Sequence, residues 1–388
     1  MSGFGFSEEQ EMFRKMVRDF SRKELAPGAK ERAKQEGQYE TAHEWAKRMA
    51  DVDLIGLGVP TEYGGQGADW VTIAIAVEEM SKADINLGAF PVLPALISKA
   101  MERGGVSKEI QRKYLTAMSK VECLTCLSIT EPNCGSDVAA IRMKAKRDGD
   151  RYILNGEKTS ISGGMTADTC YLFAKTDPTA GARGVTSFFV PLDLPGITKS
   201  RFEDTGFKNV TRASIFFDDV RVPVDHRLSD EGKGFYMLMG TFDVLRVFLA
   251  LSVLGAAETS INEAIEYSKQ RTAFGQPIAR FEGVSFKIAE HATRIEAAKL
   301  LCYRTFWLAD QGLAHTKEAA MCKWFCPVVA REAIHDALLI HGHVAYSTEH
   351  PLEQRLRDAI GYELADGTAE IMKIIVAREL IGKESRPY

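Results

Sequence analysis

The chain has 388 residues, of which 45% are hydrophobic, and this length exceeds what one hydrophobic core usually serves, so we expect two or three domains. Its 49 basic and 53 acidic residues leave a net charge of −4, and no block of like charges marks a surface for nucleic acid or anionic lipid, which favours small-molecule chemistry. The longest near-apolar run, Val247–Ala257, is shorter than the roughly 20 residues that span a bilayer, and no signal sequence precedes the first helical pattern, so we expect a cytoplasmic protein without membrane insertion.

The first predicted region, residues 1–122, is an N-terminal helical domain. Ser7 and Gln10 have the spacing of a capping box, in which each side chain binds the backbone N–H of the other residue. An apolar stripe at helical spacing follows and ends before Pro27. It comprises Met12, Phe13, Met16, Val17 and Phe20. This pattern predicts an amphipathic helix that starts next to Ser7.

The second region, residues 123–233, changes to short β-rich runs separated by turn residues. The pair Asn155-Gly156 is typical of a turn between two such runs. The runs are Arg151–Leu154, Tyr171–Ala174, Thr186–Val190, Ser214–Phe217 and Val220–Val222. Their spacing predicts a middle domain that is a small antiparallel β-barrel or sandwich.

The third region, residues 234–388, returns to helical patterns at about 236–270, 283–311, 316–341 and 368–382. At 1.5 Å per residue the first three helices are roughly 40–50 Å long, and they suit an antiparallel bundle. The whole chain is therefore predicted to be an α+β protein with helical, β and helical domains in this order.

The cysteines do not indicate a metal site. Seven cysteines is an odd number, so reduced thiols are expected. Cys123 and Cys126 form a C-x-x-C motif in an apolar run typical of a strand, where alternation places their side chains on opposite faces. Cys322 and Cys326 share a helix face, but no second pair of ligands has the spacing of a zinc site.

Several separated segments carry the more specific signals. No Gly-rich motif of a Rossmann fold and no Walker A sequence occurs, so a Rossmann cofactor domain is disfavoured. The most specific segment is Leu127-Ser-Ile-Thr-Glu-Pro-Asn-Cys-Gly-Ser-Asp137, in which proline and glycine shape a turn and two hydroxyls are available. Taken alone it would be an ordinary loop with a helix cap. The others are Asn155-Gly-Glu-Lys158, Arg271-Thr-Ala-Phe-Gly275, His350-Pro-Leu-Glu353 with Arg357-Asp358, and Asp366-Gly-Thr-Ala-Glu370 with Ala377-Arg-Glu379.

In this order and spacing the segments resemble the acyl-CoA dehydrogenase family over essentially the whole chain, and the first is similar to its T-E-P-x-x-G-S-D signature. The resemblance implies an N-terminal helical domain, a middle β domain and a C-terminal four-helix-bundle domain. It also implies a flavoenzyme that binds FAD, dehydrogenates an acyl-CoA thioester between its α- and β-carbons, and passes electrons to an electron-transferring flavoprotein. Family members are usually homotetramers built from dimers, so the same assembly is expected here.

The resemblance also assigns residues to the cofactor. Leu127, Ile129 and Thr130 are expected to line the isoalloxazine ring, and Ser136 to lie where FAD and the CoA portion meet. Ser162 occupies the position of a threonine or serine near flavin N5. The other residues expected at the cofactor are Ile161, Arg271, Phe274, Gly342, Thr368 and Glu370.

The turn at Arg271–Gly275 implies an assembly of subunits. In the family this turn reaches across a dimer interface to the FAD pyrophosphate, where an arginine offers bidentate, charge-assisted hydrogen bonds. Without the resemblance, a solvated arginine at the end of a helix is an equally good interpretation. If the turn serves a partner subunit, a monomer should not hold the cofactor.

Two residues of the first long helix are candidates for binding the CoA moiety. Asp243 and Arg246 lie on one helix face at i and i+3, a spacing that also suits a surface ion pair. The resemblance places both of them at the CoA moiety, together with Arg378 on the last helix.

The position of the catalytic base departs from the family pattern. Relatives commonly carry a glutamate in a Y-E-G-T sequence before the last helix, whereas this chain reads Leu364-Ala-Asp-Gly-Thr368, so Asp366 takes that position. The alternative is that Asp366 only caps the helix. A second family location for the base, one residue before Arg246, holds Leu245, so Asp366 has no rival carboxylate there.

The implied reaction has Asp366 removing the α-proton while hydride leaves the β-carbon for flavin N5. The Asp366 N–H and a flavin ribityl hydroxyl polarise the thioester carbonyl. Aspartate is shorter than glutamate by one methylene, roughly 1.5 Å, and a misplacement near 1 Å can cost on the order of 10²-fold in rate. A ring-shaped acyl group that brings the α-carbon closer to the base would compensate. The expected substrate is therefore alicyclic, such as cyclohexane-1-carboxyl-CoA.

Other departures concern FAD contacts. Ser160 replaces an aromatic residue, Leu339–Ala345 replaces a Q-x-x-G-G-x-G sequence, and Glu282 replaces the glutamine of F-Q. The alternative functions are a nitroalkane-oxidase-like enzyme, an acyl-CoA oxidase, an enoyl-CoA reductase, and a non-catalytic helical scaffold. The residues that favour a CoA ligand over a nitroalkane are Ser136, Asp243, Arg246 and Arg378.

Overall fold

The structure is a computed structural model that describes residues 5–34, 39–104 and 106–385. Helices of the N-terminal part are α1 (Glu8–Phe20), α2 (Ala29–Lys34), α3 (Tyr39–Ala50), α4 (Trp70–Ala83), α5 (Val92–Arg103) and α6 (Lys108–Ser119). The predicted capping box is confirmed, because the backbone N–H of Gln10 donates to Ser7 Oγ and that of Ser7 to Gln10 Oε1, both over 3.1 Å. α1 accordingly starts directly after Ser7.

The middle part is a curled sheet of seven strands within the described residues. Its strands are β1 (Thr125–Ser128), β2 (Lys144–Asp148), β3 (Arg151–Ile161), β4 (Thr169–Lys175), β5 (Val185–Pro191), β6 (Ile197–Arg201) and β7 (Ala213–Pro223). Their order is β1-β4-β2-β3-β7-β6, and β5 pairs with β4. β3 pairs antiparallel with both β2 and β7, whereas β1 runs parallel to β4.

Two predicted interruptions of the strands are wrong. Asn155-Gly156 does not form a turn, because β3 continues through it with a shift in register against β7 between Leu154 and Gly156. Gly156 has a φ of 146°, and a Cβ there would lie 3.0 Å from Met143 Cα, so glycine is needed at this bulge. The runs at 214–217 and 220–222 are likewise parts of the single strand β7.

The C-terminal part is a bundle of α7 (Gly234–Gln270), α8 (Glu282–Asp310), α9 (Thr316–His341), α10 (Pro351–Leu364) and α11 (Ala369–Ile381). A hairpin of β8 (Thr272–Ala273) and β9 (Gln276–Pro277) connects α7 to α8. The four predicted helices are confirmed within two residues at each end. The sequence pattern did not predict α10. The order of helical, β and helical parts is also confirmed.

α7 is the central helix of the structure. Its 37 residues are about 55 Å long at 1.5 Å per residue. By length and hydropathy this helix could cross a membrane, but 72% of its most apolar window is buried inside the fold. It packs against α4, α8 and α9, which explains why it is apolar all round.

β4 ties the sheet to the helices. Tyr171 and Phe173 belong to the core formed with the helices, whereas Cys170 and Leu172 belong to a second core inside the curled sheet. This division follows from the alternation of side chains along a strand. Because both faces of β4 are buried, the sheet has a fixed position against the helical core.

Candidate active site

A buried ion pair holds the turn at Thr130–Asp137. The fully buried ammonium of Lys158 on β3 donates to Glu131 Oε1 over 2.8 Å and to the carbonyl of Ile129 over 2.7 Å. Glu131 also accepts two backbone N–H groups just before β2. Removing either charge would leave the other buried without its partner, so the pair fixes the chain where it leaves β1. Lys158 ends the sequence motif Asn155-Gly-Glu-Lys158, but the sequence alone assigned no role to this residue.

Six of the residues expected at the flavin lie at one end of the sheet. They are Leu127, Ile129, Thr130, Ser136, Ile161 and Ser162. The N–H of Thr159 on β3 donates to the carbonyl of Thr130 over 2.8 Å, which joins the ends of β1 and β3. In this set both isoleucines are buried, both serines are exposed, and the other two residues are half-buried.

The hydroxyls in this set are available to a ligand. Among the described residues, those of Thr130, Ser136 and Ser162 have no hydrogen-bond partner in the chain. A half-buried apolar side chain, Leu127, lies at the same sheet end. Apolar surface with a few free polar groups is the composition of a cofactor site, so these residues fit a flavin ring with its polar edge.

A buried polar cluster joins α7 to the loop before α11. Arg246 Nε donates to the carbonyl of Asp366 over 3.1 Å, and its Nη1 lies 3.5 Å from Asp243 Oδ1. The other carboxylate oxygen of Asp243 accepts the hydroxyl of Thr316 on α9 over 2.6 Å. The side chains of Arg246 and Asp243 are only 7% and 12% exposed. The alternative of a surface ion pair is therefore wrong.

The loop that contains Asp366 is tightly constrained. Asp366 has a φ of 52°, in the left-handed region that costs a non-glycine residue about 1–2 kcal/mol. Gly367 follows with a φ of 107°, and a Cβ there would lie 2.5 Å from Met372 Cε. The N-cap of α11 is Thr368, whose hydroxyl accepts the N–H of Ile371. The alternative that Asp366 only caps this helix is therefore wrong.

The carboxyl of Asp366 has the environment of a general base. Burial raises its pKa, and the Lys323 ammonium and the Arg246 guanidinium act in the opposite direction. Among the described residues this carboxylate accepts no hydrogen bond. Lys323, on α9, was missed by sequence reasoning. The available signal was a lysine inside the apolar run Cys322-Lys-Trp-Phe-Cys326.

A cavity of about 140 Å³ opens beside Asp243. It lies between α4, α5, α7, α8 and α9, and its lining includes Trp70, Leu96, Lys99, Arg103, Val244 and His315. Lys99 and Arg103 on α5 bring positive charge to this cavity, which favours an anionic ligand.

Three residues expected at the cofactor lie at the opposite end of the bundle. They are Arg271, Phe274 and Gly342. Arg271 follows Arg246 by 25 positions along α7, which corresponds to about 38 Å. The ring of Tyr267 stacks on that of His341 at 4.4 Å, so the last turn of α7 lies next to Gly342. Phe274 is 96% exposed. Within one chain, these residues do not reach Asp366.

Glu370 and Arg378 are exposed on α11. Within the described part of the chain, neither makes a side-chain hydrogen bond or ion pair with Asp243, Arg246 or Asp366. The structure therefore brings together Asp243, Arg246 and Asp366, but not Arg378.

The family models match nearly the whole chain. Residues 7–122, 126–220 and 232–381 match the N-terminal, middle and C-terminal domains of acyl-CoA dehydrogenase. The chain belongs to the acyl-CoA dehydrogenase family. It is an oxidoreductase that acts on an acyl-CoA, and its cofactor is FAD. The free hydroxyls and apolar surface at the sheet end fit this cofactor.

Individual acyl-CoA dehydrogenases and related enzymes are similar over the full length. An acyl-CoA dehydrogenase of Bacillus subtilis (strain 168) is 37% identical over 97% of this chain and 99% of its own length. An acryloyl-CoA reductase (NADH) of Anaerotignum propionicum is 36% identical, over 97% of this chain and 96% of its own. The solved structure of butyryl-CoA dehydrogenase from Megasphaera elsdenii is 31% identical, has a TM-score of 0.92, and is matched over 98% of this chain and 100% of its own.

Proposed function

We propose that this acyl-CoA dehydrogenase removes the α-proton of its thioester substrate with Asp366. The observation that carries the proposal is the geometry of the Asp366 loop. Its backbone carbonyl is bound by the buried guanidinium of Arg246, while its carboxylate accepts no hydrogen bond from the described residues. A carboxylate that is half-buried, fixed through its backbone and otherwise unoccupied is suited to accept a proton.

The residues at the sheet end would hold the isoalloxazine ring. The proposed contacts are the side chains of Leu127, Ile129 and Ile161 and the hydroxyls of Thr130 and Ser162. Thr368 and Glu370, which follow Asp366 closely in the sequence, are proposed to contact the cofactor as well. When bound, FAD supplies the hydride acceptor at this place. Ser136, exposed in the turn after β1, would contact the CoA portion as well as the cofactor.

The CoA moiety would reach the base from the cavity beside Asp243. The Asp243–Arg246 pair lies between this cavity and the Asp366 loop, and Lys99 and Arg103 line the cavity. The phosphates of CoA are anionic, so these cations support this assignment. Arg378 would take part only from the rim, since it is exposed.

The reaction proposed for the chain's own residues has two parts. The Asp366 carboxylate takes the α-proton, and its backbone N–H helps to polarise the thioester carbonyl as enolate charge develops. Arg246 and Gly367 keep the loop in the left-handed conformation that presents this carboxylate.

The assembly would be a homotetramer built from dimers. The Arg271–Gly275 hairpin and Gly342 lie too far from Asp366 to serve the same active site, so each hairpin would bind the FAD pyrophosphate of a partner subunit. Phe274, at 96% exposure, has an apolar ring that such an interface would cover. We also propose domain boundaries at 122/123 and 233/234, an electron-transferring flavoprotein as acceptor, and a cytoplasmic location.

The finer proposal for the substrate is an alicyclic thioester such as cyclohexane-1-carboxyl-CoA. It rests on the shorter arm of Asp366, because a ring can present its α-carbon closer to the loop. The test is kcat/KM for this thioester and for butyryl-CoA in the wild type and in Asp366→Glu. The longer acid should slow oxidation of the ring by overpacking and should spare the linear thioester. A wild type that strongly prefers butyryl-CoA would refute the alicyclic substrate and leave the base assignment standing.

A second candidate is an enoyl-CoA reductase that uses the same pocket. The similarity to the acryloyl-CoA reductase (NADH) favours it. An anaerobic screen distinguishes oxidation of a saturated acyl-CoA from reduction of an enoyl-CoA. In a dehydrogenase, saturated acyl-CoAs reduce the flavin and bleach its visible absorption band. A reductase, once reduced, regains this band with an enoyl-CoA and shows no bleaching with the saturated compounds.

A further inference from the structure

Lys323 is a buried lysine that has no role in the proposed reaction. It lies on α9 with 1% of its surface exposed. Its Nζ donates to the carbonyl of Tyr362 over 2.7 Å and to that of Gly367 over 3.2 Å. Burying an ammonium costs several kcal/mol, and an apolar side chain of similar volume would fill the space at less cost. The charge must therefore be explained by what the ammonium contacts.

The two carbonyls that Lys323 binds lie on either side of the proposed base. Tyr362 is in the last turn of α10, and Gly367 directly follows Asp366. Arg246 binds the carbonyl of Asp366 itself. Two buried cations thus hold three carbonyls of the segment 362–367, which comprises the last turn of α10 and the loop with the left-handed aspartate. External hydrogen bonds of this kind are what a strained loop needs to persist.

Neither cation donates a hydrogen bond to the carboxylate of the base: Lys323 donates to two backbone carbonyls, and Arg246 donates to the carbonyl of Asp366 and to the Asp243 carboxylate. The Asp366 carboxylate interacts with Lys323 and Arg246 through charge alone. A hydrogen bond to a carboxylate lowers its pKa and also occupies a lone pair, whereas a nearby positive charge lowers the pKa, keeps the group ionised and leaves its lone pairs free. The arrangement therefore combines a fixed loop with an accessible carboxylate.

The titratable groups that act on Lys323 come from the loop, from two other helices and from its own. They are Asp366, Arg246 on α7, Glu363 on α10 and Cys326 on α9. On α8, Cys302 contacts Cys326, with 3.7 Å between the two sulfur atoms. α11 presents Lys373 to the neighbouring ring of Trp324, at 5.2 Å. Burial lowers the pKa of Lys323 to about 8, Arg246 acts in the same direction, and the carboxylates of Asp366 and Glu363 oppose the shift.

We infer that Lys323 is a positioning residue for the base. By holding the carbonyls of Tyr362 and Gly367 it fixes where the Asp366 carboxylate points, and by its charge it keeps this carboxylate ionised. The inference rests on the proposed role of Asp366. It extends that role to a residue that touches neither substrate nor cofactor and acts only through the loop.

The test compares Lys323→Met and Lys323→Arg with Lys373→Met, a change of an exposed lysine on α11. The substrate is the acyl-CoA that bleaches the flavin in the anaerobic screen, called the bleaching acyl-CoA below. The limiting rate constant of anaerobic flavin reduction by this compound is measured against pH, together with its Kd. Amide hydrogen exchange of residues 362–368 in the holoenzyme is a readout that is independent of activity.

Lys323→Met should lower the limiting rate on the order of 10²-fold through misplacement of the base. The acid limb of its pH–rate profile, where the rate constant falls as Asp366 is protonated, should move up by about one pH unit. The reason is that Asp366 loses a neighbouring positive charge, so its pKa rises. Exchange at 362–368 should be faster than in Lys373→Met, which should keep the wild-type profile. Lys323→Arg should retain the acid limb and lose the alkaline limb near pH 8, because a guanidinium does not deprotonate.

An unchanged acid limb in Lys323→Met, or a retained alkaline limb in Lys323→Arg, would overturn the inference. If the methionine variant does not fold, the arginine variant alone decides. Asp366→Asn in the same assay separates the two levels. If it still reduces flavin at the wild-type rate, the proposed base and this inference both fail. If it is inactive and Lys323→Met keeps the wild-type acid limb, only the inference about Lys323 fails.

Discussion

Replacing Arg246 by methionine removes the guanidinium that joins Asp243 to the Asp366 loop. The buried Asp243 carboxylate would keep only the hydroxyl of Thr316. Removing one partner of a buried ion pair costs about 3–5 kcal/mol of unfolding free energy, since the other charge stays buried. The Asp366 carbonyl also loses its donor, so the rate constant of flavin reduction should fall on the order of 10²-fold.

The unfolding free energy is measured by urea denaturation followed by tryptophan fluorescence. Arg221→Met is the matched control, because Arg221 pairs with Asp148 over 4.0 Å and the two side chains are 60% and 61% exposed. An exposed pair is worth at most about 1 kcal/mol. The double variant Asp243→Asn/Arg246→Met should recover at least about 0.5 kcal/mol relative to the sum of the single changes. Equal losses in Arg246→Met and Arg221→Met would refute the buried cluster as the element that holds the loop.

Three further predictions concern stability, the sheet end and the cofactor. Burial raises the pKa of Asp310 from 3.8 to about 6, so the folded state binds this proton more tightly than the unfolded state. The free energy of unfolding should therefore fall as the pH rises through this window, by less than the about 3 kcal/mol of the full shift because the side chain is half-buried, and urea titrations should not find this slope in Asp310→Asn. Lys158→Met should lower the free energy of unfolding by about 3–5 kcal/mol and weaken FAD binding, and the added change Glu131→Gln should restore part of this stability. An unchanged free energy of unfolding in Lys158→Met would contradict the buried pair. Arg271→Ala should weaken FAD retention on ultrafiltration, whereas the exposed Arg280→Ala should not, and equal retention would contradict the role across the interface.

The long helices could be predicted because their apolar periodicity is a local property of the sequence. α7 is apolar all round, and its packing against other helices on every side accounts for that composition. α10 was missed because its segment was considered only as a motif, although Pro351 stands at the first helical position. Asn155-Gly156 was misinterpreted because local turn preference was overridden by pairing with β7, which the sequence does not display.

The candidate site could be predicted only in part. Asp366 was found through its place in a family motif, whereas its contact with Arg246 joins residues 120 positions apart. Lys323 was not found, because a lysine in a sequence is normally expected to be solvated. Its burial depends on where α10 and α11 meet α9, which is a property of the tertiary fold.

The proposed reaction depends most directly on Asp366 as the base. The decisive measurement is the rate constant of anaerobic flavin reduction by the bleaching acyl-CoA in the wild type and in Asp366→Asn, with the Kd of that acyl-CoA determined in both. Asparagine keeps the size of the side chain but cannot take the α-proton, so reduction should fall by several orders of magnitude while binding is retained. A decrease of less than about tenfold with unchanged binding would show that another group is the base.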